Sequence, residues 1–402
     1  MRRQRYYKKR TGLKFMAFLL LLAMGVVCIN YVRPLPEATA SVVSVNTLVE
    51  PVSLKWPTRG YAAIGAQGFG LLEHRGSAQK PIPTASLAKL VTALAVLKEH
   101  PIAADRKSPV LTLTKADVAL FEKYYSIGGS VVTVKPGEHI TLYQALQAIL
   151  LPSANNMADS VAVWAFGSME NYHAYANKML KQMGLAHTTV AADASGMSPK
   201  TTSTTRDLIK LGELALDNPT IAEIVAQKTA TIPVHGAISS ANSRLGINNI
   251  IGIKTGLTDE AGGCFLFAAK HEVGGKPVTI IGIIMGAQNL RTALAESEPL
   301  LNSAKRHFSV KTPIKAGESF ATITTPWLSS ADAVAARDVT MLTWNGTTLT
   351  PNVELINING SLHPGSEVGT AFVSSGDNTA STPLVLRGEL IGPTWQWRIK
   401  RF

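Results

Sequence analysis

The stretch Pro83-Thr84-Ala85-Ser86-Leu87-Ala88-Lys89-Leu90-Val91-Thr92 reads as a turn feeding a helix. Pro83 stops what precedes it, and Thr84 is expected to cap the backbone N–H groups that follow. Leu87, Leu90, Val91, Leu94 and Leu97 recur at helical spacing, which predicts a core-facing stripe ending near His100 and Pro101. Ser86 and Lys89 fall on one face of that helix, one turn apart. A hydroxyl beside an amine at a helix start is a way to make a nucleophile. A neutral lysine takes the serine proton, and first-turn N–H groups favour the developing negative charge. The motif alone discriminates little, because a chain of 402 residues holds about one or two S-x-x-K matches by chance. A second match, Ser77-Ala78-Gln79-Lys80, runs straight into Pro81 and Pro83. No helix can align that pair, so Ser77 is read as solvated loop.

Outward from this stretch, 46% apolar and 16% charged residues describe a globular chain with a membrane-leaning tilt, long enough for two or three domains. The net charge is +12, but seven of the positives lie in residues 1–14, which hold no acid. The remainder is only mildly basic, so no nucleic-acid partner is expected. Residues 15–29 are unbroken apolar, extended by Tyr31 and Val32. That length fits either a transmembrane anchor with the N-terminus cytoplasmic or a signal cut near Ala38-Thr39-Ala40; the anchor is favoured because the cleavage match lies far past the apolar run. Residues 33–57 read as a linker. Cys28 lies in the apolar run and Cys264 before Phe265-Leu266-Phe267, where a small buried hydrophobe is the expected role, and no disulfide is expected.

Residues 60–72 read as a hairpin turning at Gly68 and Gly70. Residues 131–134 look strand-like, and Thr141-Leu142-Tyr143-Gln144 is a capping-box pattern opening a helix. Apolar helices are expected over 157–166 and 169–183, and another from Thr204 toward Leu216. Strands are expected over 250–254, 264–269 and 278–285, the last two joined at Gly274-Gly275, followed by a helix over 289–308. From residue 309 onward short β-rich runs punctuated by Asn345-Gly346, Asn359-Gly360 and Ser375-Gly376 predict a separate all-β domain.

Three fragments belong together: Ser86-x-x-Lys89, Ser153-x-Asn155 and Lys254-Thr255-Gly256. S-x-N also occurs at Ser44 and Ser240, in the linker and in a Ser/Asn-rich loop. Only Ser153 stands on a tight turn between two apolar helices. Gly256 removes a side chain from a strand, so an extended peptide could pair with that edge. The trio resembles the set found in class A β-lactamases and penicillin-binding proteins, with alanine at the middle position of Ser153-Ala154-Asn155.

With these motifs, Gly60-Tyr61-Ala62-Ala63-Ile64, Thr205-Arg206-Asp207-Leu208 and Gly256-Leu257-Thr258-Asp259-Glu260-Ala261-Gly262, the chain resembles the D-alanyl-D-alanine carboxypeptidases, the low-molecular-mass penicillin-binding proteins. The match runs over about residues 58–308, and residues 309–402 look like the family's second domain. The resemblance implies an α+β fold: an antiparallel sheet flanked by helices with a helical lobe, then a C-terminal β-sandwich. It implies a serine DD-peptidase acting on peptidoglycan stem peptides, with β-lactams as acylating inhibitors and no cofactor. Ser86 would be the nucleophile, Lys89 the base and Ser153 a proton relay whose hydroxyl Lys254 holds. Asn155 would bind the substrate amide, and the N–H groups of Ser86 and Leu257 would form the oxyanion hole. Thr255 would bind the terminal carboxylate, with Arg291 a second candidate or merely a solvated helix residue.

Nine histidines without paired ligand spacing predict no catalytic metal. Asp193 is read as loop structure in Asp193-Ala194-Ser195-Gly196. Rival readings are a class A-type β-lactamase, for which Glu213 is a near miss as the deacylating glutamate; an endopeptidase of cross-links; and an inactive membrane-tethered binding module. The tail Trp395-Gln396-Trp397-Arg398-Ile399-Lys400-Arg401-Phe402 alternates and predicts a last strand, with a Trp- and cation-rich lipid contact as the sharper idea. The C-terminal amphipathic anchor helix carried by many relatives is not expected here.

Overall fold

Alternation with period two in three apolar runs builds the sheet on which the molecule is organised. In Gly262–Val273, Phe265 and Phe267 face one side while Cys264, Leu266 and Ala268 face the other. Lys276–Ala287 divides the same way, with Ile280 and Ile284 opposite Ile281 and Ile283. The sheet has five antiparallel strands, in the order Ile250–Thr258, Gly262–Val273, Lys276–Ala287, Tyr61–Ala66, Gly70–Arg75. Both expected hairpins are present. The computed structural model describes residues 2–43, 49–102 and 108–401; the S-x-N match at Ser44 falls outside them.

Ten helices are present among the described residues. Helix α1 (Arg2–Val32) precedes the globular part. Its segment Gly12–Val32 is long and apolar enough to cross a membrane and is not buried in the protein, which fits a single-pass anchor or a signal sequence. Helices α2 (Lys89–Glu99), α3 (Lys115–Ser126), α4 (Leu142–Leu150), α5 (Asn155–Phe166), α6 (Met169–Gln182), α7 (Thr205–Asp217) and α8 (Pro219–Val225) form the lobe against one sheet face. Helix α9 (Leu290–Lys305) covers the other face through Ala293, Leu294, Leu300 and Leu301. Each fully buried aliphatic side chain in these layers contributes about 1.5–3 kcal/mol.

Helix starts follow the expected chemistry at Thr141, whose capping box with Gln144 opens α4, and at Thr204, whose hydroxyl accepts from Asp207 N at the start of α7. Thr84 differs. Its hydroxyl makes no cap and instead donates to carbonyls of Ala85 and Thr201, and the chain enters α2 through a 3-10 turn, Ala85–Ala88. Residues 131–134, expected to be strand-like, join no sheet. Val132 is held by a side chain, its N–H donating to Asn156 Oδ1 and its carbonyl accepting from Asn156 Nδ2.

Beyond α9, Ser319–Thr324, Ser330–Ala335, Asn378–Leu386, Glu367–Ser375 and Asn352–Leu355 make an antiparallel sheet. The pair Phe308–Ile314 and Val339–Trp344 lies against it, enclosing Ile314, Phe320, Met341, Val368 and Leu384. Thr39–Val42, from the stretch expected to be a linker, adds an edge strand to this sheet by pairing with Ser319–Thr324. The tail corrects the expected last strand: α10 (Trp395–Lys400) is a short helix, started by the Thr394 hydroxyl accepting from Trp397 N. Residues 395–400 pair with no strand, so the alternation is not rewarded by a sheet.

Candidate active site

Ser86 lies in the 3-10 turn and Lys89 opens α2, so the pair spans one helical turn as the spacing requires. Lys89 is fully buried, and its Nζ lies 2.7 Å from Ser86 Oγ, 2.7 Å from Asn155 Oδ1 and 2.9 Å from the Ser195 carbonyl. Burial, and then the positive charge of Lys254, push the Lys89 pKa well below the ordinary lysine value, while Asp193 and Asp159 oppose that shift. An uncharged amine has two N–H donors and one lone pair. In that form Asn155 Oδ1 and the Ser195 carbonyl would take the two donors, which would leave the lone pair for the Ser86 hydroxyl.

The Ser195 carbonyl is aimed by a loop that a single carboxylate organises. Asp193 Oδ1 accepts from the N–H groups of Ser195, Gly196 and Met197 and from the Ser195 hydroxyl, and Oδ2 accepts from Ser198 N. This bears out the structural reading of Asp193. A Cβ on Gly196 would stand 2.0 Å from the Ala85 carbonyl, so only glycine lets this loop approach the Ser86 turn. Asp159 extends the scaffold: it accepts from Ala194 N at 2.9 Å and from the Tyr124 hydroxyl at 2.6 Å. Burial raises the pKa of both groups of that pair.

The strand Ile250–Thr258 passes along the other side of Ser86. A Cβ on Gly256 would lie 3.1 Å from Ser86 N and 3.1 Å from Ala85 Cβ, which brings the strand backbone next to the N–H of the hydroxyl's own residue. Between strand and lobe lies a cleft of about 490 Å³ lined by Ser86, Ser153, Asn155, Thr255, Gly256 and Leu257 among others. Two non-glycine residues flank it in the left-handed region, Ala85 (φ 47°) and Ser153 (φ 68°). Such conformations cost about 1–3 kcal/mol each and concentrate at functional sites.

Lys254 is 1% exposed, and burial lowers its pKa to about 7. The expected Lys254–Ser153 hydrogen bond is not formed: Lys254 Nζ donates to the Thr255 carbonyl at 3.2 Å, and the buried Ser153 Oγ has no partner. Asn155, expected to bind substrate, has its Oδ1 engaged by Lys89. Arg291 is exposed and does not line the cleft, although its neighbour Leu290 does. Ser77 lies in a surface loop, and Glu213 on α7 accepts from Gly70 N, outside the cleft. Residues not anticipated from sequence are the cleft wall from Ile127 to Ser130, tied to the site by Asn155 N donating to the Ser130 carbonyl, and the Ser195 carbonyl itself. No cluster of His, Cys, Asp and Glu suited to a metal occurs among the described residues.

Known proteins resemble this chain along most of its length. The chain is 26% identical over 349 residues to the D-alanyl-D-alanine carboxypeptidase DacC of Escherichia coli, covering 81% of this chain and 84% of the relative. It is 22% identical over 332 residues to DacF of Bacillus subtilis, covering 80% and 82%. Penicillin-binding protein 5 of Haemophilus influenzae shares the fold with a TM-score of 0.61 at 19% identity, over 86% of this chain and all of that one. A family model described as D-alanyl-D-alanine carboxypeptidase, Peptidase S11, matches residues 70–289, more than half of the chain, and the chain therefore belongs to that family.

Proposed function

We propose that the protein is a serine DD-carboxypeptidase that removes the terminal D-alanine from peptidoglycan stem peptides through a Ser86 acyl-enzyme. The observation that carries this reading is the buried Lys89 amine 2.7 Å from Ser86 Oγ, with its two other neighbours restricted to accepting. Ser86 Oγ attacks the carbonyl of the D-Ala-D-Ala bond while Lys89 takes its proton. The oxyanion accepts from the N–H groups of Ser86 and Leu257, donors typically worth about 3 kcal/mol each. Ser153, free of any competing partner, hands a proton to the leaving amine and regains one from the Lys89 ammonium, which returns to the uncharged amine. Water then hydrolyses the ester with Lys89 again as base. Thr255, buried at the cleft wall, meets the terminal carboxylate. The Asn155 amide NH2 is the end left to meet substrate.

Glu213 lies outside the cleft, which disfavours the β-lactamase reading, since that chemistry needs a glutamate beside the deacylating water. α1 acts as an uncleaved anchor that holds the catalytic domain outside the cytoplasmic membrane. Cleavage at Ala38-Thr39-Ala40 would cut through the strand Thr39–Val42, in which Ala40 pairs with Ile323. The test is mass spectrometry after incubation with penicillin. A slowly released adduct mapped to Ser86, absent from Ser86→Ala, is expected. An adduct elsewhere, or none on folded protein, sinks the assignment.

A further inference from the structure

The acylation chemistry leaves one buried carboxylate near the base without a part. Asp159 stands on α5 one turn beyond Asn155, whose Oδ1 meets Lys89, and is 2% exposed. Both of its contacts are donors and neither is a cation: Oδ1 accepts from Ala194 N at 2.9 Å, and Oδ2 from the Tyr124 hydroxyl at 2.6 Å. A buried carboxylate without a counter-ion costs stability, and an apolar side chain of similar volume would avoid that cost.

Ala194 immediately precedes Ser195, whose carbonyl accepts from Lys89 Nζ at 2.9 Å. The backbone leading to that carbonyl is fixed at each polar group. Ala194 N–H donates to Asp159. The Ala194 carbonyl accepts at 2.7 Å from the Thr92 hydroxyl, on α2 three residues beyond Lys89, and that hydroxyl lies 2.8 Å from the Tyr172 hydroxyl. Ser195 N–H donates to Asp193. The Asp193 carboxylate accepts from residues 195–198, so it holds the loop on one side of Ala194 while Asp159 holds the other. Ala194 and Ser195 are fully buried.

Asp159 is also one of three charged side chains that act on Lys89. Lys254 disfavours the ammonium, whereas Asp193 and Asp159 favour it. Tyr124 adds no charge, because burial and Asp159 raise its pKa and keep the hydroxyl protonated. The other charges acting on Asp159 are Asp193 and Lys123.

We propose that Asp159 is a positioning residue for acylation: through Ala194 it aims the Ser195 carbonyl at Lys89 Nζ, and its negative charge stands behind the base. This role presupposes that Lys89 takes the Ser86 proton. Asp193 and Asp159 therefore clamp the loop from opposite sides, and only together do they fix the second acceptor of the amine.

The test measures acylation of the full chain by a labelled β-lactam as a function of pH, normalised to the protein that can be acylated. Asp159→Asn keeps an oxygen for Ala194 N–H and removes the charge. Loss of the charge disfavours the Lys89 ammonium, so the acid limb of the profile should move to lower pH. Lys254, which titrates at about 7, is common to both proteins. Asp159→Leu removes the acceptor as well, and the plateau rate should fall about 10²-fold, the cost of a misplacement of about 1 Å. A residue that merely supports the fold would lower the fraction acylated without moving the limb. An unmoved limb in Asp159→Asn, or a wild-type plateau in Asp159→Leu, overturns the role and leaves Lys89 as base. A wild-type protein that is not acylated at Ser86 overturns the reading of the site and this role with it.

Discussion

Around the cleft, Lys89, Lys254, Asn155, Asp159 and Asp193 are all buried, and their side chains meet one another, backbone groups or the cleft wall. The β-domain packs Ile314, Phe320, Val368, Val373 and Leu384 with no buried charged side chain among the described residues. The contrast is energetic. Burying an ionisable group costs stability unless it is paired or loses its charge, so a fold keeps such groups only where they serve another purpose. Around the cleft that cost lowers two lysine pKa values; in the β-half packing alone is at stake.

The largest effect expected of a single change in the cleft follows from removing the base. Lys89→Ala should slow acylation by a labelled β-lactam about 10²–10⁴-fold, while the folded content measured by circular dichroism stays the same. A preserved rate would remove Lys89 from the chemistry. In the β-half the expected result is reversed. Phe320→Ala should lower unfolding stability by about 3–5 kcal/mol through the cavity it leaves, without changing acylation per folded molecule. A loss of acylation in the folded variant would mean that the two halves are coupled more tightly than their cores suggest.

A smaller effect comes from Lys254. Its folded-state pKa of about 7 lies below the ordinary 10.5. Between those values the unfolded chain holds a proton that the folded chain has released, so stability rises as pH increases across the window and falls as pH drops toward 7. Lys254→Met should remove this contribution, which denaturant titrations at several pH values from 7 to 10.5 would reveal as a flatter profile. Equal slopes in both proteins would show that the amine is not held uncharged. The smallest expected effect is Ser77→Ala. This serine sits in the other S-x-x-K match, in an exposed loop, so acylation measured in the same assay should be unaffected.

Where local periodicity carried the information, the fold was legible in the sequence. The leucine stripe of α2, the Thr141 and Gln144 capping box and the alternating runs at 262–273 and 276–287 depend on neighbours within a few residues. Thr84, residues 131–134 and the tail departed from expectation. Thr84 and Val132 answer to distant partners, Thr201 and Asn156. The tail alternates like a strand, yet it forms a short helix, and Arg401 just after it donates to the Asn30 carbonyl near the end of α1.

The candidate site divides along the same line. Residue types and spacing, read with the family resemblance, picked out the side chains proposed to carry the chemistry: Ser86, Lys89, Ser153, Asn155 and Lys254, together with the glycine at 256. Only the tertiary structure decided how Lys89 is held. Its second carbonyl belongs to Ser195, a separation of 106 residues, and a backbone carbonyl has no residue-type signature to read. It also decided that Ser153 Oγ stands without a partner and that Arg291 stays outside the cleft. Chemistry is written in side chains, whereas orientation depends on backbone groups that every residue shares and that only folding brings together.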